Sequence, residues 1–311
     1  MKIVFLDEYS MAGACLDSIM QLGEYQGYDR TKAEDVVERS KDADVIISNK
    51  VYISAKTMDQ LPKLKLIAVA ATGMNNVDLD AAKARGIEVK NAKGYSTSSV
   101  AEHTLGMALA LRRDLVYYDK YIKDGQYAAS ADIFHFGRSI RDIKGCTWGI
   151  IGLGVIGHEV ARLAEAFGCN VVYSSTSGIE RKEKYKCLAL NELLSQSDIV
   201  SIHCPLNQKT NGLIGYKEML LMKKESIIIN VARGGIVIEE DLCRILNEKR
   251  IAAAALDVFS EEPLHNSPIY NIEDKYSTIL SPHNAWASEK SMNRLILTIS
   301  NNISEFIAQS K

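Results

Sequence analysis

The chain has 311 residues, more than one hydrophobic core usually organises, since single cores stop growing near ~250–300 residues. Its composition, 47% hydrophobic and 24% charged with 5 Pro and 20 Gly, excludes a disordered, collagenous or low-complexity protein. With 37 basic against 39 acidic residues the formal charge is −2, so no basic field runs along the chain to hold a polyphosphate, and nucleic acid is not an expected partner.

The chain opens on Lys2–Leu6, then reaches Asp7 and Glu8 before a signal-peptide core could form. No apolar run approaches the ~18 residues of a membrane span, so a soluble, cytoplasmic protein is expected. After that first strand, β-branched runs are predicted as strands at Val45–Ser48, Leu66–Ala70 and Glu88–Asn91. Ser98 and Ser99 then introduce a long helical pattern from about Val100 to Asp124. Further strands follow at Thr147–Ile151, Asn170–Tyr173, Ile199–His203, Ser226–Asn230, Ala252–Leu256 and Thr278–Ser281, and a helix is predicted over Ser288–Gln309. Each run is apolar almost throughout, as in parallel strands covered by helices on both faces. Strands alternating with helices in this way define the α/β class with two doubly wound parallel sheets. The six cysteines (Cys15, Cys146, Cys169, Cys187, Cys204, Cys243) contain no C-x-x-C pair, which predicts free thiols in a reducing compartment and no metal site.

The strongest local signal is Gly152-Leu153-Gly154-Val155-Ile156-Gly157, placed after a strand and opening a helix. In that position the first glycine permits the tight turn, the second lets a pyrophosphate approach the backbone and the third lets helix and strand pack closely. The acid that usually follows about 20 residues later to bind the ribose of NAD is missing. The second strand runs instead into Ser174-Ser175-Thr176-Ser177, with Arg181 and Lys182 nearby, a loop that could accept NADP or tolerate either cofactor.

Three polar segments lie where strands end, the side on which open α/β sheets bind ligands. They carry Arg233, Glu262 and His283. That set suits reduction of a 2-oxo acid. Arg233 can grip carboxylate and carbonyl oxygen with its planar fork, His283 can deliver a proton to the carbonyl oxygen, and Glu262 can fix the tautomer of His283 and favour its protonated form.

Gly152–Gly157, His203-Cys204-Pro205-Leu206 with Thr210, Asn230-Val-Ala-Arg233-Gly234, Asp257-Val-Phe-x-x-Glu262-Pro263 and Pro282-His283 resemble, in order and spacing, the D-isomer-specific 2-hydroxyacid dehydrogenases over nearly the whole chain. The resemblance implies that Arg233 binds substrate, His283 is the acid/base and Glu262 its partner. Formate dehydrogenases of this fold have Gln in place of the Glu, so Glu262 argues against formate. The segments Ala71–Asp78 and Tyr95–His103, with Trp286, are most similar to the glycerate dehydrogenase/hydroxypyruvate reductase group. They imply a substrate carboxylate held by backbone amides around Thr72 and Gly73, with Lys50 as a second cation. By the same resemblance the cofactor, NAD with NADP as a competitor, meets Gly152, Gly154, Val155, Ile156 and Gly157 at the pyrophosphate, and Ser174, Ser175 and Thr176 at the adenosine ribose. Cys204, Pro205 and Thr210 would lie on the adenine side, and Ala232 and Asp257 at the nicotinamide.

The implied architecture is a Rossmann NAD(P)-binding domain, residues 100–284, inserted into a flavodoxin-like substrate domain, residues 1–99 and 285–311. A homodimer built through the cofactor domain is expected, with a small 2-oxo or 2-hydroxy acid as substrate. A nicotinamide-sensing binding protein of the same fold is the non-enzymatic alternative.

Overall fold

A computed structural model describes residues 1–178 and 182–309. The chain divides into two compact units, Met1–Ser96 with Ala287–Lys311, and Thr97–Trp286.

The first unit is built on β1 (Lys2–Phe5), β2 (Glu24–Gly27), β3 (Val45–Ser48), β4 (Leu66–Val69) and β5 (Glu88–Asn91). Every pairing is parallel, in the order β2-β1-β3-β4-β5, the flavodoxin-like arrangement. β3 and β4 are buried at every position, as unbroken Val-Ile-Ile and Leu-Ile-Ala-Val runs require. β2 was not evident from sequence because Glu-Tyr-Gln-Gly alternates between exposed and half-buried at the sheet edge. The helix Glu289–Gln309 belongs to this unit and buries Met292, Leu295, Ile296, Ile299 and Ile303 along one stripe. Polar ties hold it there: Arg294 Nε donates to the Tyr95 carbonyl at 2.9 Å, and Ser300 Oγ to that of Ser18 at 2.8 Å.

The second unit contains β6 (Thr147–Ile151), β7 (Asn170–Ser174), β8 (Lys186–Cys187), β9 (Ile199–Ile202), β10 (Ile227–Asn230), β11 (Ala253–Leu256) and β12 (Thr278–Leu280). The order is β12-β11-β10-β9-β6-β7-β8, again all parallel, which is the Rossmann arrangement extended by one strand. The direction of strand addition reverses between β6 and β9, so the turn after β6 lies at the switch point where such sheets bind nucleotides. Ile227, Ile228 and Ile229 are fully buried on alternating faces, each stabilising the sheet by roughly 1.5–3 kcal/mol relative to exposure. Trp148 is also fully buried, and its indole Nε1 donates to Ser201 Oγ at 2.9 Å.

The helical pattern after Ser99 forms two helices, Thr97–Arg112 and Leu115–Lys123, rather than the single one predicted. Asp114 breaks it with φ of 51°, a left-handed conformation that Asp tolerates better than most residues, and its carboxylate accepts from Arg138 Nε at 2.7 Å. None of the described helices is long and apolar enough to cross a membrane.

Candidate active site

The glycine-rich turn has the geometry of a phosphate cradle. Gly152 has φ of 93°, and a Cβ there would lie 2.7–2.8 Å from the backbone and Cβ of Cys204. A Cβ on Gly157 would sit 2.4 Å from the Gly152 carbonyl oxygen, whereas one on Gly154 would meet open space. The turn is therefore closed toward the protein and open outward at Gly154. Gly154 is the N-cap of the helix Val155–Ala166, and among the described residues no side chain caps it, which leaves the leading N–H groups to an anion. Val155, at the first helical position, is exposed. A dinucleotide pyrophosphate fits this site.

At the end of β7, the Ser174 carbonyl accepts from Gly152 N at 2.9 Å, and Ser175 and Ser177 share a hydroxyl contact at 3.2 Å. Arg181 lies outside the described residues. Glu183, which sequence reasoning passed over, accepts from His158 Nε2 at 2.9 Å, while His158 Nδ1 lies 2.8 Å from the Gly154 carbonyl. This pair ties the loop after β7 to the phosphate turn, and only the fold reveals it.

Beyond β9, Cys204 is buried against Gly152. Burial pushes its thiol up to about 11, with a hydrogen bond involving Thr176 acting the other way. Pro205 is exposed beside it. Thr210 is fully buried, its hydroxyl donating to the Pro205 carbonyl at 2.6 Å and accepting from Asn207 N at 2.8 Å. It braces the loop 205–210 from beneath. His203 donates its N–H to the Ile151 carbonyl, and its ring Nε2 lies 3.0 Å from Ser201 Oγ. Among the described residues its buried Nδ1 has no hydrogen-bond partner, and burial pushes the imidazole down to about 3.

Arg233, Glu262 and His283 follow β10, β11 and β12, three adjacent strands of one sheet. His283 Nδ1 and Glu262 Oε2 are 2.7 Å apart, and the other carboxylate oxygen, Oε1, accepts from Phe259 N at 3.0 Å. With Nδ1 engaged by the carboxylate, Nε2 is the nitrogen left to exchange a proton. Glu261 instead lies 3.5 Å from His265 Nδ1, which separates its part from that of Glu262.

His283 has φ of 52°, a conformation that costs a non-glycine residue roughly 1–2 kcal/mol. It is held by its N–H to the Asp257 carbonyl at 2.8 Å and by Trp286 Nε1 donating to its own carbonyl at 2.9 Å. The Asp257 side chain, buried to 1% exposure, accepts from Ser281 Oγ, Asn284 N and Ala285 N at 2.5, 2.9 and 3.0 Å. That carboxylate organises the turn carrying His283. His103 joins it from the helix Thr97–Arg112, its Nε2 3.0 Å from Ser281 Oγ.

Asn230 likewise builds the turn carrying Arg233, with Nδ2 donating to the Arg233 carbonyl at 2.8 Å and Oδ1 accepting from Ala232 N at 3.1 Å. Arg233 is half-buried, with Nη1 on the Ala232 carbonyl at 2.6 Å.

In the first unit, Lys50 follows β3 while Thr72 and Gly73 follow β4. The backbone amides of Asn49 and Lys50 donate to the buried Asp7 carboxylate, Lys50 N at 2.6 Å. Burial raises the Asp7 carboxyl, and those same N–H groups oppose the rise. Thr72 is exposed, its carbonyl accepting from Asn91 Nδ2 at 2.6 Å.

Residues 105–285 match the D-isomer specific 2-hydroxyacid dehydrogenase, NAD binding domain. A glycerate dehydrogenase of Methylorubrum extorquens is 39% identical, with 99% of this chain and 96% of that protein aligned. Two solved structures share the architecture at 26% identity. One is an NADPH-dependent glyoxylate/hydroxypyruvate reductase of Sinorhizobium meliloti in complex with NADP and malonate, with a TM-score of 0.85 over 98% of this chain and 93% of that one. The other is a D-lactate dehydrogenase of Aquifex aeolicus complexed with NAD and lactic acid, with a TM-score of 0.83 over 99% and 96%. The chain belongs to the D-isomer-specific 2-hydroxyacid dehydrogenase family.

Proposed function

We propose that the chain reduces a small 2-oxo acid to the D-2-hydroxy acid, and catalyses the reverse, with hydroxypyruvate and D-glycerate as the first-choice pair. The observation that carries this reading is the 2.7 Å contact between His283 and Glu262 on a turn held by buried Asp257, with Arg233 two strands away in the same sheet. When bound, the nicotinamide cofactor supplies or accepts the hydride at the substrate carbon. Arg233 draws in the substrate carboxylate and polarises the carbonyl oxygen. His283 Nε2 delivers a proton to that oxygen during reduction and takes it back during oxidation. Glu262 engages Nδ1 and so fixes the tautomer and orientation of the ring, and Phe259 N keeps the carboxylate aimed. Lys50, Thr72 and Gly73 are assigned to the substrate carboxylate from the first unit, and Ala232 with Asp257 to the nicotinamide side.

NAD is the cofactor of first choice, with NADP admitted because Ser175 places no carboxylate at the end of β7. The intact Arg, Glu and His set does not favour a purely nicotinamide-sensing role. A homodimer accounts for the apolar surface formed by Ile133, Phe134 and Phe136, exposed at 77, 72 and 81%, and by Leu115, Val116 and Ile122 of the adjoining helix. The six free thiols suit a cytoplasmic setting. Purified protein mixed with hydroxypyruvate, glyoxylate and pyruvate, each with NADH or NADPH, tests the assignment. Oxidation of a reduced cofactor, fastest with hydroxypyruvate, is expected; no oxidation with any pair overturns it. Sedimentation at twice the monomer mass is expected, and a monomer alone at micromolar concentration contradicts the dimer.

A further inference from the structure

The N-terminal ends of β6 and β7, opposite the glycine-rich turn, hold two buried thiols that the reaction does not use. Thr147 and Asn170 are register partners, and Cys146 and Cys169 are the residues immediately before them. Hydrogen bonds bracket them on both sides, Gly145 N to the Gly168 carbonyl at 2.9 Å and Asn170 N to the Cys146 carbonyl at 2.8 Å. Neighbouring strands so bonded run about 4.8 Å apart. A disulfide spans Cα separations of roughly 4.4–6.8 Å. Both sulfurs approach one short segment: Cys146 Sγ donates to the Asp142 carbonyl at 3.4 Å and Cys169 Sγ to the adjacent Ile143 carbonyl at 3.3 Å.

A cation completes the group. Arg112 is buried at 8% exposure, and its Nη2 lies 2.7 Å from the Asp142 carbonyl and 3.2 Å from Cys146 Sγ. Its Nη1 reaches the Glu225 carbonyl at 3.4 Å, and among the described residues its Nε has no hydrogen-bond partner. A guanidinium buried among carbonyls and a sulfur favours negative charge on that sulfur.

We propose that Cys146 and Cys169 are a modification site, a dithiol that a hydroperoxide converts to an intrachain disulfide. The Cys146 thiolate attacks one peroxide oxygen. The O–O bond breaks, Cys146 becomes a sulfenic acid, and the other oxygen leaves, once protonated, as water or an alcohol. Cys169 sulfur then attacks the Cys146 sulfur, the S–S bond forms, the S–O bond breaks, and the second oxygen leaves as water. The two thiols together give up two electrons and two protons, and the peroxide is reduced by two electrons. Burial pushes Cys169 up to about 11 and raises Cys146 as well, while Cys15 and Cys187 are exposed. The bond encloses β6, the phosphate turn and the helix Val155–Ala166 in one covalent ring, which stabilises the fold chiefly by restricting the unfolded chain.

The test treats the full chain, with Cys15 and Cys187 replaced by Ser, with hydrogen peroxide, blocks free thiols and maps the peptides without reductant. A peptide joining Cys146 to Cys169, released by dithiothreitol, is expected, together with a thermal midpoint raised by roughly 5 °C or more over the reduced protein. Cys169→Ser, or Cys169→Ala where Ser fails to fold, should lose both effects. Recovery of Cys146 and Cys169 as separate blocked thiols or separate sulfinic acids after peroxide overturns the proposal, and the parent protein alone gives that answer.

Discussion

Gly234→Ala tests how the candidate site is held together without touching any ionisable group. A Cβ at Gly234 would lie 1.8 Å from the Phe259 carbonyl oxygen, 2.0 Å from its carbon and 2.6 Å from Ser260 N. All three are backbone atoms, so no side-chain rotation relieves the contact. Restoring an ordinary van der Waals separation requires the strand end after β11, or the turn after β10, to move by more than about 1 Å. Phe259 N is the donor that aims Glu262, and Glu262 contacts His283, so the displacement passes directly into the proposed acid/base pair. A misplacement of about 1 Å costs on the order of 10²-fold in rate. Overpacking of this kind also costs typically ~1–3 kcal/mol of stability. The expected result is a loss of about 100-fold in kcat/KM for hydroxypyruvate reduction, followed by cofactor absorbance, in a protein that remains folded with a lowered thermal midpoint. An Ala variant within threefold of the parent would show that the contact between these two turns does not position Glu262.

Gly152→Ala places a Cβ against Cys204 at a φ of 93°, so cofactor affinity measured by titration should fall by at least roughly tenfold. His283→Ala should lower kcat by roughly 10²–10⁴-fold at every pH, whereas Arg233→Ala should also raise KM for the 2-oxo acid; unchanged steady-state constants in either would remove that residue from the mechanism. Ser175→Asp should shift the ratio of NADPH to NADH efficiency toward NADH by roughly tenfold or more, and an unchanged ratio would mean that Ser175 is not at the ribose. His203, held down to about 3 in the folded state, stays neutral where the unfolded chain takes up a proton near its ordinary 6.5. Its contribution is present above that pH and is lost as pH falls toward 3, by at most about 1.4 kcal/mol per unit. Urea unfolding at pH 7 and pH 5 should show a smaller loss for His203→Asn than for the parent, and equal losses would show that His203 does not titrate in this way.

Much of this arrangement was legible in the sequence because its signals are local. Unbroken apolar runs such as Ile227–Ile229 sit in strands buried on both faces, and the strand-to-helix placement of Gly152–Gly157 marks the turn at the switch point. Arg233, Glu262 and His283 stood out because a guanidinium, a carboxylate and an imidazole follow three successive apolar runs. Edge elements were not legible: Glu24–Gly27 alternates, and Lys186–Cys187 is two exposed residues paired with β7. The break at Asp114 carries neither Gly nor Pro. The supporting groups stayed hidden for a different reason. Asp257 reaches the amides of Asn284 and Ala285 across 27 and 28 residues of chain, and Glu183 reaches His158 across 25, so spacing alone gives no sign of either.

The central claim is that His283 delivers the proton and that Glu262 holds its ring in place to do so. The kcat/KM for hydroxypyruvate reduction in the parent, Glu262→Gln and Glu262→Ala tests this most directly. Ala removes the partner of Nδ1 and should cost roughly 10²-fold, whereas Gln keeps an acceptor oxygen there and should retain more of the activity. An Ala variant within threefold of the parent would contradict the account.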